Sequence, residues 1–220
     1  MNKISMSDKI LNINNENIEL ENDSKVIVNG KSKITVFNKY PNNLSLEVKD
    51  DSEVLIEDFR IIEEENTSIK LIMGKNSKLI YNHSFINKKE YNLNILTEYQ
   101  SDNSIIKINV HGINNNGNTN IRIDGILGKN VGNELYESIR LINENNGKAT
   151  IIPNILVDCK EVVANHAATI GKINENELNY LMSKGIEFKS ARKLILNGFI
   201  INIFESTDLI IKIKEILNWR

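Results

Sequence analysis

The stretch IKLIMGKNSKLIY, residues 69–81, decides the fold class of this 220-residue chain. It holds two short runs of alternating, mostly branched apolar residues, 69–73 and 78–81, on either side of the turn sequence GKNS. Alternation at a period of two is typical of β-strands. Gly and Asn tolerate the positive φ of a tight turn, and a Ser side chain bonds readily to the backbone beside it. The stretch therefore predicts two strands separated by a turn.

The same arrangement recurs outward from this stretch. Further alternating runs, many of them preceded by turn residues and a small polar residue, lie at 25–28, 33–37, 44–48, 53–56, 93–96, 105–110 and 121–126. Many short strands with frequent turn signals are typical of a sandwich, a barrel or a β-helix, and the pattern leaves these three open. The segment 114–118, rich in Asn, is predicted as a solvated turn, with a ladder of stacked Asn side chains as the alternative.

Near residue 170 the apolar period changes to 3.6, which indicates helices. Asn174 and Glu177 have the spacing of a capping box, in which Asn174 accepts from the backbone three residues on. Gly185 stands where this first helix ends. We therefore predict a mainly β region over residues 1–172 and a C-terminal helical region over residues 173–220.

Two more helices are predicted after Gly185. Residues 191–199 carry apolar side chains at helical spacing, and a third helix starts at Ser206. Gly198 interrupts the second of these helices at a cost of about 1 kcal/mol relative to Ala. Close backbone packing beside Phe199 is the predicted reason for this glycine.

Composition excludes several classes of function. The charged fraction is 25% and the formal net charge is −2. The chain therefore lacks the net positive charge that is typical of proteins that bind nucleic acid or an anionic membrane. No stretch approaches the roughly 20 apolar residues that a bilayer requires, and residues 1–15 lack the apolar core of a signal peptide. We expect a cytoplasmic protein with neither nucleic acid nor membrane as a partner.

Few residues of this chain are suited to metal or redox chemistry. The single cysteine, Cys159, excludes an internal disulfide and an iron–sulfur cluster held by about four thiolates of one chain. With His83, His111 and His166 dispersed along the sequence, a self-contained transition-metal site is not expected. His83 and His111 are assigned no role, and a structural role is the simpler interpretation of His166 and Cys159 on chemistry alone.

Carboxylates raise an alternative function. The densest group is Glu63 to Glu65, with Asp50, Asp51 and Asp58 nearby. Enzymes that process carbohydrates on a β-helix use clustered carboxylates for acid–base work. Here the acids sit beside turn residues or at alternating strand positions, so we predict that they face solvent.

Four ordered segments resemble one protein family. They are PNIL at 153–156, VVANHAATIGKIN at 162–174, ELNYLMSKGI at 177–186 and ARKLILNGF at 191–199. Their order and spacing are similar to the C-terminal part of the SufB/SufD family of iron–sulfur cluster assembly proteins. Residues 1–150 are similar to that family only in their general pattern of short strands and turns.

The resemblance implies a right-handed parallel β-helix followed by terminal helices. It also implies that two such chains, as a homodimer or a heterodimer, pair at the C-terminal end of the β-helix. The terminal helices are expected to dock an ABC-type ATPase similar to SufC. By motif position, the docking candidates are Tyr180, Leu181, Lys184, Gly185, Arg192, Gly198 and Phe199.

The chain departs from the family pattern at positions where family members carry reactive side chains. SufB-type members carry a Cys that corresponds to Ser138 and a Glu that corresponds to Ala167. SufD-type members often carry a Cys that corresponds to Ala164. His166 is retained, so it is the candidate for cluster assembly and for weak metal binding, with Cys159 as a candidate replacement thiol. The pattern is closest to a minimal SufD-like member.

These observations predict a non-catalytic scaffold subunit of a SUF-like cluster assembly complex. The chain by itself is expected to hold no cofactor stably, with a transient iron–sulfur cluster possible at a dimer interface. Two alternatives stay open: a structural solenoid without assembly activity and, less favoured, a carbohydrate-processing β-helix enzyme.

Overall fold

A computed structural model describes residues 2–4, 10–21, 23–38 and 42–218. The chain is a parallel β-solenoid of about five turns, with three helices near its C-terminus. The strands are β1 (Asn2–Ile4), β2 (Ile10–Asn14), β3 (Asn17–Leu20), β4 (Ser24–Asn29), β5 (Lys31–Phe37), β6 (Asn43–Val48), β7 (Glu53–Met73), β8 (Lys78–Tyr99), β9 (Ile105–Asn115), β10 (Asn118–Leu127), β11 (Glu134–Glu144), β12 (Lys148–Val157) and β13 (Val163–Gly171). The helices are α1 (Glu175–Ser183), α2 (Phe188–Ile201) and α3 (Thr207–Ile216).

The strands stack into two faces in which every described pairing is parallel. One face has the order β1-β3-β5-β7-β8-β9-β11-β13. On the other, β2, β4 and β6 are followed by the second halves of β7 and β8, then by β10 and β12. Each turn of chain thus adds one strand to each face, and β7 and β8 run around the corner without a break. The predicted parallel β-helix with a helical tail is confirmed.

The interior of the solenoid is filled by every second residue of each strand. In β9, for example, Ile106, Ile108 and Val110 are fully buried and stack on equivalent residues of β8 and β11. Removing the apolar surface of such side chains from water contributes about 1.5–3 kcal/mol each. Ile, Val and Leu therefore alternate with polar residues along the strands, as the period of two predicts.

The corner before each first-face strand explains the recurring turn motif. Ser52, Ser77, Ser104 and Asn133 are buried there, and Ser104 N–H donates to Oδ1 of Asn133 at 2.8 Å. The residues directly before them have positive φ: Asp51, Asn76, Asn103 and Gly132. A short polar side chain satisfies the backbone groups of the buried corner, and the preceding residue turns the chain. Successive turns differ in length, which makes the motif irregular in sequence.

The opposite corner corrects the prediction for the Asn-rich segment. Asn114 is fully buried: its Oδ1 accepts from Asn87 at 3.1 Å, and its Nδ2 donates to Asn143 at 3.2 Å. These three residues form the alternative Asn ladder, because a stacked solenoid brings the amides of successive turns within hydrogen-bonding distance. The exposed turn itself is short and includes Asn116, which has a φ of 61°.

The prediction that the acidic residues near 58–65 face solvent is wrong for two of them. β7 is continuous from Glu53 to Met73, and Asp58 and Glu65 point into the solenoid. Both carboxylates bind Arg60, which is itself 1% exposed. Glu63 does face solvent, where it pairs with Lys88 and Lys89.

The predicted helix ends are observed, with one change of partner. Asn174 caps α1, but its Oδ1 accepts from the N–H of Asn176, two residues on, at 2.9 Å. Gly185 follows α1 with a φ of 85°, which a residue with a side chain rarely adopts. Ser206 caps α3 and accepts from the N–H of Leu209. No helix among the described residues is long and apolar enough to cross a membrane.

The helical tail packs along the flank of the solenoid and leaves the last turn open. Ile200, Phe204, Leu209 and Ile213 of the tail form an apolar cluster with Phe59 and Ile113 of the first face. Glu57 accepts from the N–H of Ser206 at 3.0 Å and pairs with Lys33 at 2.7 Å. The start of α3 is therefore held against early turns of the solenoid.

Candidate functional site

The last turn of the solenoid ends in two strands that are open on one side. Among the described residues, β12 pairs only with β10, and β13 pairs only with β11. Ile152, Leu156 and Val157 of β12 are exposed by 42%, 61% and 50%. Unpaired strand edges that carry exposed apolar side chains are surfaces to which another chain can add. We call β12 and β13 together the open end.

His166 lies in the middle of β13 and is exposed. Ala164, two residues earlier, packs against the solenoid core, so alternation directs His166 to the same interior side. Its Cα partner on β11 is Glu137. Residues paired in a parallel ladder share a face, so the imidazole and the carboxylate lie on neighbouring strands at the mouth of the solenoid interior.

Glu137 is the functional candidate that sequence analysis missed. It is 3% exposed, and neither carboxylate oxygen has a hydrogen-bond partner. Burial, reinforced by the negative charge of Asp124, raises the pKa of Glu137 to about 7. The signal was present in the sequence, because Glu137 alternates with the buried residues Leu135 and Ile139.

Cys159 lies in the loop between β12 and β13 and is half-buried. It lies after the end of β12 and is not on a strand. No group of three or more His, Cys, Asp or Glu residues that could hold a metal occurs in the part of the chain that the structure describes. Within one chain, the two cluster-assembly candidates thus do not belong to a complete metal site.

Four docking candidates lie on or just after α1. Tyr180 is 62% exposed, and Nζ of Lys184 lies 5.3 Å from its ring centroid. Gly185 is also exposed, whereas Leu181 is half-buried. α1 contains no buried residue, so this helix has an accessible face with an aromatic residue and a cation on it.

The docking candidates on α2 have structural contacts with the solenoid. Arg192 forms an ion pair with Glu144 of β11. Phe199 is half-buried against β9. A Cβ built on Gly198 would meet nothing within 4 Å, so the predicted close backbone packing at Gly198 is wrong.

His111, to which the sequence assigned no role, holds α2 against β9. Its ring is stacked on Phe199, and its Nδ1 donates to the backbone carbonyl of Phe199 at 2.9 Å. The guanidinium of Arg140, the Cα partner of His111 on β11, also lies over the Phe199 ring, 5.7 Å from its centroid. Burial lowers the pKa of His111, and the positive charge of Arg140 lowers it further.

His83 also has a structural position, inside the solenoid. Asp58 Oδ2 accepts from Arg60 at 2.7 Å and from the hydroxyl of Tyr81 at 2.9 Å, and it lies 3.3 Å from Nδ1 of His83. Burial by itself would raise the pKa of Asp58, but Arg60 and His83 outweigh burial and hold that pKa well below its ordinary value. These groups are nearly inaccessible, so they belong to the interior and offer no surface to a substrate.

Comparison with known proteins identifies the part of the chain that contains the open end. Residues 134–199 match the SufBD core domain of the SUF system for iron–sulfur cluster assembly. The predicted resemblance to the SufB/SufD family is confirmed over this segment. We refer to residues 134–199 as the SufBD core segment.

Curated relatives match over a similar length. The iron–sulfur cluster assembly protein SufD of Bacillus subtilis is 34% identical over 73 residues, which cover 33% of this chain and 17% of the relative. A SufBD family protein of Galdieria sulphuraria is 36% identical over 69 residues, 31% of each chain. One from Pyrococcus horikoshii is 36% identical over 67 residues, 30% of this chain and 15% of the relative. The matches thus span less than a third of each relative.

The SufBD core segment begins with β11 and ends within α2, so it contains the open end and the accessible helix α1. Its departures from the family pattern are adjacent in space. Ser138 and Ala167 are Cα partners on β11 and β13, and both lie on the face opposite His166 and Glu137. The thiol and carboxylate that the resemblance implies at these positions are replaced by a hydroxyl and a methyl group.

Proposed function

We propose that this chain is a scaffold subunit of a SUF-like iron–sulfur cluster assembly complex. It pairs with a second SufB/SufD-like chain through the open end, and it binds a SufC-like ABC-type ATPase through its C-terminal helices. The chain has no enzymatic activity of its own and carries iron and sulfide only transiently. The match of residues 134–199 to the SufBD core domain is the observation that carries this proposal.

Pairing at the open end is supported by the exposed edges of β12 and β13. Large apolar side chains on a sheet edge favour contact with another chain over contact with water. Below the last turn, the interior of the solenoid is already filled by side chains such as Ile121 and Ile139. A second chain would therefore cover only the last turn.

Docking of the ATPase is supported by the accessible face of α1. Tyr180 combines a large apolar ring with a hydroxyl, and such residues are frequent among those that dominate protein–protein binding. Lys184 adds a cation beside the ring. Arg192 and Phe199 contribute indirectly, because their contacts with Glu144 and His111 keep the helices in place.

The test is co-expression of this chain with the ABC-type ATPase of the same SUF-like system. The complex is measured by anaerobic size-exclusion chromatography with light scattering, together with ATPase turnover. Tyr180→Asp is the test variant, and Asn179→Asp, at the neighbouring exposed position of the same helix, is the matched control. Both are surface changes, expected to alter stability by no more than about 0.5 kcal/mol.

Wild type and Asn179→Asp are expected to co-elute with the ATPase and to change its turnover, whereas Tyr180→Asp weakens the complex more than about tenfold. If Tyr180→Asp co-elutes like wild type, the ATPase does not bind this face of α1. If wild type elutes separately at micromolar concentration with unchanged turnover, the docking proposal fails.

A structural solenoid without assembly activity is the second candidate function. Ser138 and Ala167 favour it, because neither a hydroxyl nor a methyl group replaces the thiolate and the carboxylate that the resemblance implies. The carbohydrate-enzyme alternative has less support. The buried acids Asp58 and Glu65 are both bound to Arg60 in the interior, where a sugar has no access.

A further inference from the structure

A cavity of about 500 Å³ lies between the last turn of the solenoid and the helical tail. Its walls come from β11, the end of β13, the linker 172–174, the first turn of α1 and one side of α2. Leu194, Ile195 and Phe199 of α2 contribute apolar surface, and none of the three is fully buried. Sites for small molecules are typically clefts of about 300–1,000 Å³ that combine apolar walls with a few polar groups. The cavity has the size and the mixed walls of such a site.

Two glycines of this cavity have no structural explanation within the chain. Gly171 ends β13 and Gly198 lies inside α2; neither has a positive φ, and a Cβ on either would meet no atom within 4 Å. Among the glycines that the structure describes, Gly128 alone shares these properties, and it does not line the cavity. Glycine is disfavoured inside a helix relative to alanine, whereas it allows a ligand to approach the backbone closely. Both glycines therefore keep space open in the same cavity.

The charged groups of the cavity favour an anion. Arg140 and Lys172 line it, and neither has an acidic partner within the described part of the chain. The guanidinium of Arg140 lies over the Phe199 ring, at the apolar wall. Glu177 is the one carboxylate among the described residues that line the cavity, so the positive charges outnumber the negative one. The planar guanidinium group is suited to bind a carboxylate or a phosphate through two hydrogen bonds.

We propose that this cavity binds a small organic anion. The carboxylate or phosphate group of the ligand pairs with Arg140 and Lys172. The apolar part of the ligand contacts Leu194 and Phe199, in the space that Gly198 leaves open. The inference is independent of the proposed function, because all of these residues belong to one chain and neither a second chain nor an ATPase is required.

The test is an NMR titration of the isotopically labelled full chain with four probes. Benzoate and phenyl phosphate carry the two kinds of anionic group on the same ring. Benzamide is the neutral counterpart of benzoate, and inorganic phosphate lacks the ring. The backbone amide signals of Gly171 and Gly198 report on the cavity, and the amide signal of Gly128 is the internal reference.

Two kinds of variant test the residues of the site. Lys172→Gln removes one cation, and its matched control is Lys160→Gln, an exposed lysine in the loop before β13. Gly198→Leu fills the cavity from α2. Gly198→Ala is the milder form of this change, and it is expected to fold because a Cβ at this position meets no neighbour. The amide spectrum of each variant shows whether it is folded before any probe is added.

At least one of the two organic anions is expected to shift the signals of Gly171 and Gly198 saturably and to leave that of Gly128 unchanged. Benzamide and inorganic phosphate bind at least about tenfold more weakly, because each lacks one half of the contacts. Lys172→Gln weakens binding about three- to tenfold, and Lys160→Gln does not. Gly198→Leu abolishes the shift of Gly171, and Gly198→Ala weakens binding. The organic anion that binds more tightly identifies the charged group of the ligand.

Three results would overturn the inference. If benzamide binds as tightly as benzoate, the cavity does not recognise an anion. If inorganic phosphate binds as tightly as phenyl phosphate and shifts the same signals, the cations hold a simple ion and the apolar wall has no part in binding. If neither organic anion shifts the two glycine signals, or if both Gly198 variants bind as wild type does, the cavity is not a ligand site.

Discussion

The imidazole of His111 lies flat against the ring of Phe199, with the ring centroids 4.6 Å apart and 4° between the planes. The two residues are far apart in sequence, one on β9 and one on α2. The contact is strengthened by the hydrogen bond from Nδ1 of His111 to the carbonyl of Phe199. It fixes the helical tail to the solenoid, and thereby the position of α1 relative to the open end.

Replacing a fully buried Phe by Ala lowers the free energy of unfolding by about 3–5 kcal/mol. Because Phe199 is only half-buried, Phe199→Ala is expected to lower it by about 2 kcal/mol. Denaturant titration measures this loss, and hydrogen exchange is expected to show faster exchange in α2 and α3. Phe188→Ala is the control on the same helix, since Phe188 is 47% exposed. Equal losses for the two variants would contradict an anchoring role of Phe199.

The same contact makes the stability of the chain sensitive to acid. The pKa of His111 is lowered from 6.5 in the folded chain, chiefly by burial. Below pH 6.5 the unfolded chain therefore takes up a proton before the folded chain does, and the stability contributed by neutral His111 is lost as pH falls. The free energy of unfolding is measured at pH values from 8 to 5 for wild type and for His111→Asn. We expect wild type to lose more stability than the variant, and parallel curves would refute this.

The buried cluster around Arg60 predicts a large effect on stability. Arg60→Met leaves the carboxylates of Asp58 and Glu65 without their cation, which is expected to cost about 3–5 kcal/mol. Arg122→Met is the matched control, because Arg122 pairs with Asp124 at the surface and such pairs contribute about 0–1 kcal/mol. Denaturant titration compares the two variants.

A triple variant separates the charge from the packing in this cluster. Arg60→Met combined with Asp58→Asn and Glu65→Gln removes the unpaired charges, so it is expected to recover at least half of the loss of Arg60→Met. If the triple variant is no more stable than the single one, packing around Arg60 dominates.

Local signals in the sequence were sufficient for most of the strands, for the corners before the first-face strands and for the helix ends. Alternation of Ile, Val and Leu follows directly from burial of one side of each strand, and the capping residues Asn174 and Ser206 act within one helical turn. Asp51 and Asn76 mark corners because a positive φ is a local requirement. These are short-range effects, and a pattern a few residues long is enough to predict them.

What the sequence did not predict depends on contacts between distant residues. Glu63, Glu64 and Glu65 interrupt the apolar alternation, so β7 was predicted as two strands; its continuity depends on pairing with β8. The position of the tail depends on contacts such as that of Glu57 with Ser206. Glu137 combines a local and a long-range effect. Its burial could be predicted from its alternation with apolar residues, whereas its lack of a hydrogen-bond partner is seen only in the structure.

Glu137→Gln is expected to stabilise the metal-free chain at pH 8. The substitution replaces an unpaired, buried carboxylate by a neutral amide, and the expected gain is about 1–3 kcal/mol. Glu144→Gln provides the contrast, since Glu144 is also buried but pairs with Arg192, and its loss is expected to destabilise the chain. Thermal and denaturant unfolding in EDTA measure both. A destabilised Glu137→Gln would indicate that Glu137 has a structural partner.

Leu156→Lys is expected to prevent the pairing of two chains at the open end. Leu156 is 61% exposed on β12, and a lysine there adds a charge that two paired chains would have to desolvate. Ile211→Lys is the control, because Ile211 is 49% exposed on α3, on another part of the surface. Sedimentation equilibrium at micromolar concentrations is expected to give a dimer for wild type and Ile211→Lys and a monomer for Leu156→Lys. If Ile211→Lys dissociates the dimer and Leu156→Lys does not, the chains pair through the tail, and the open end is free.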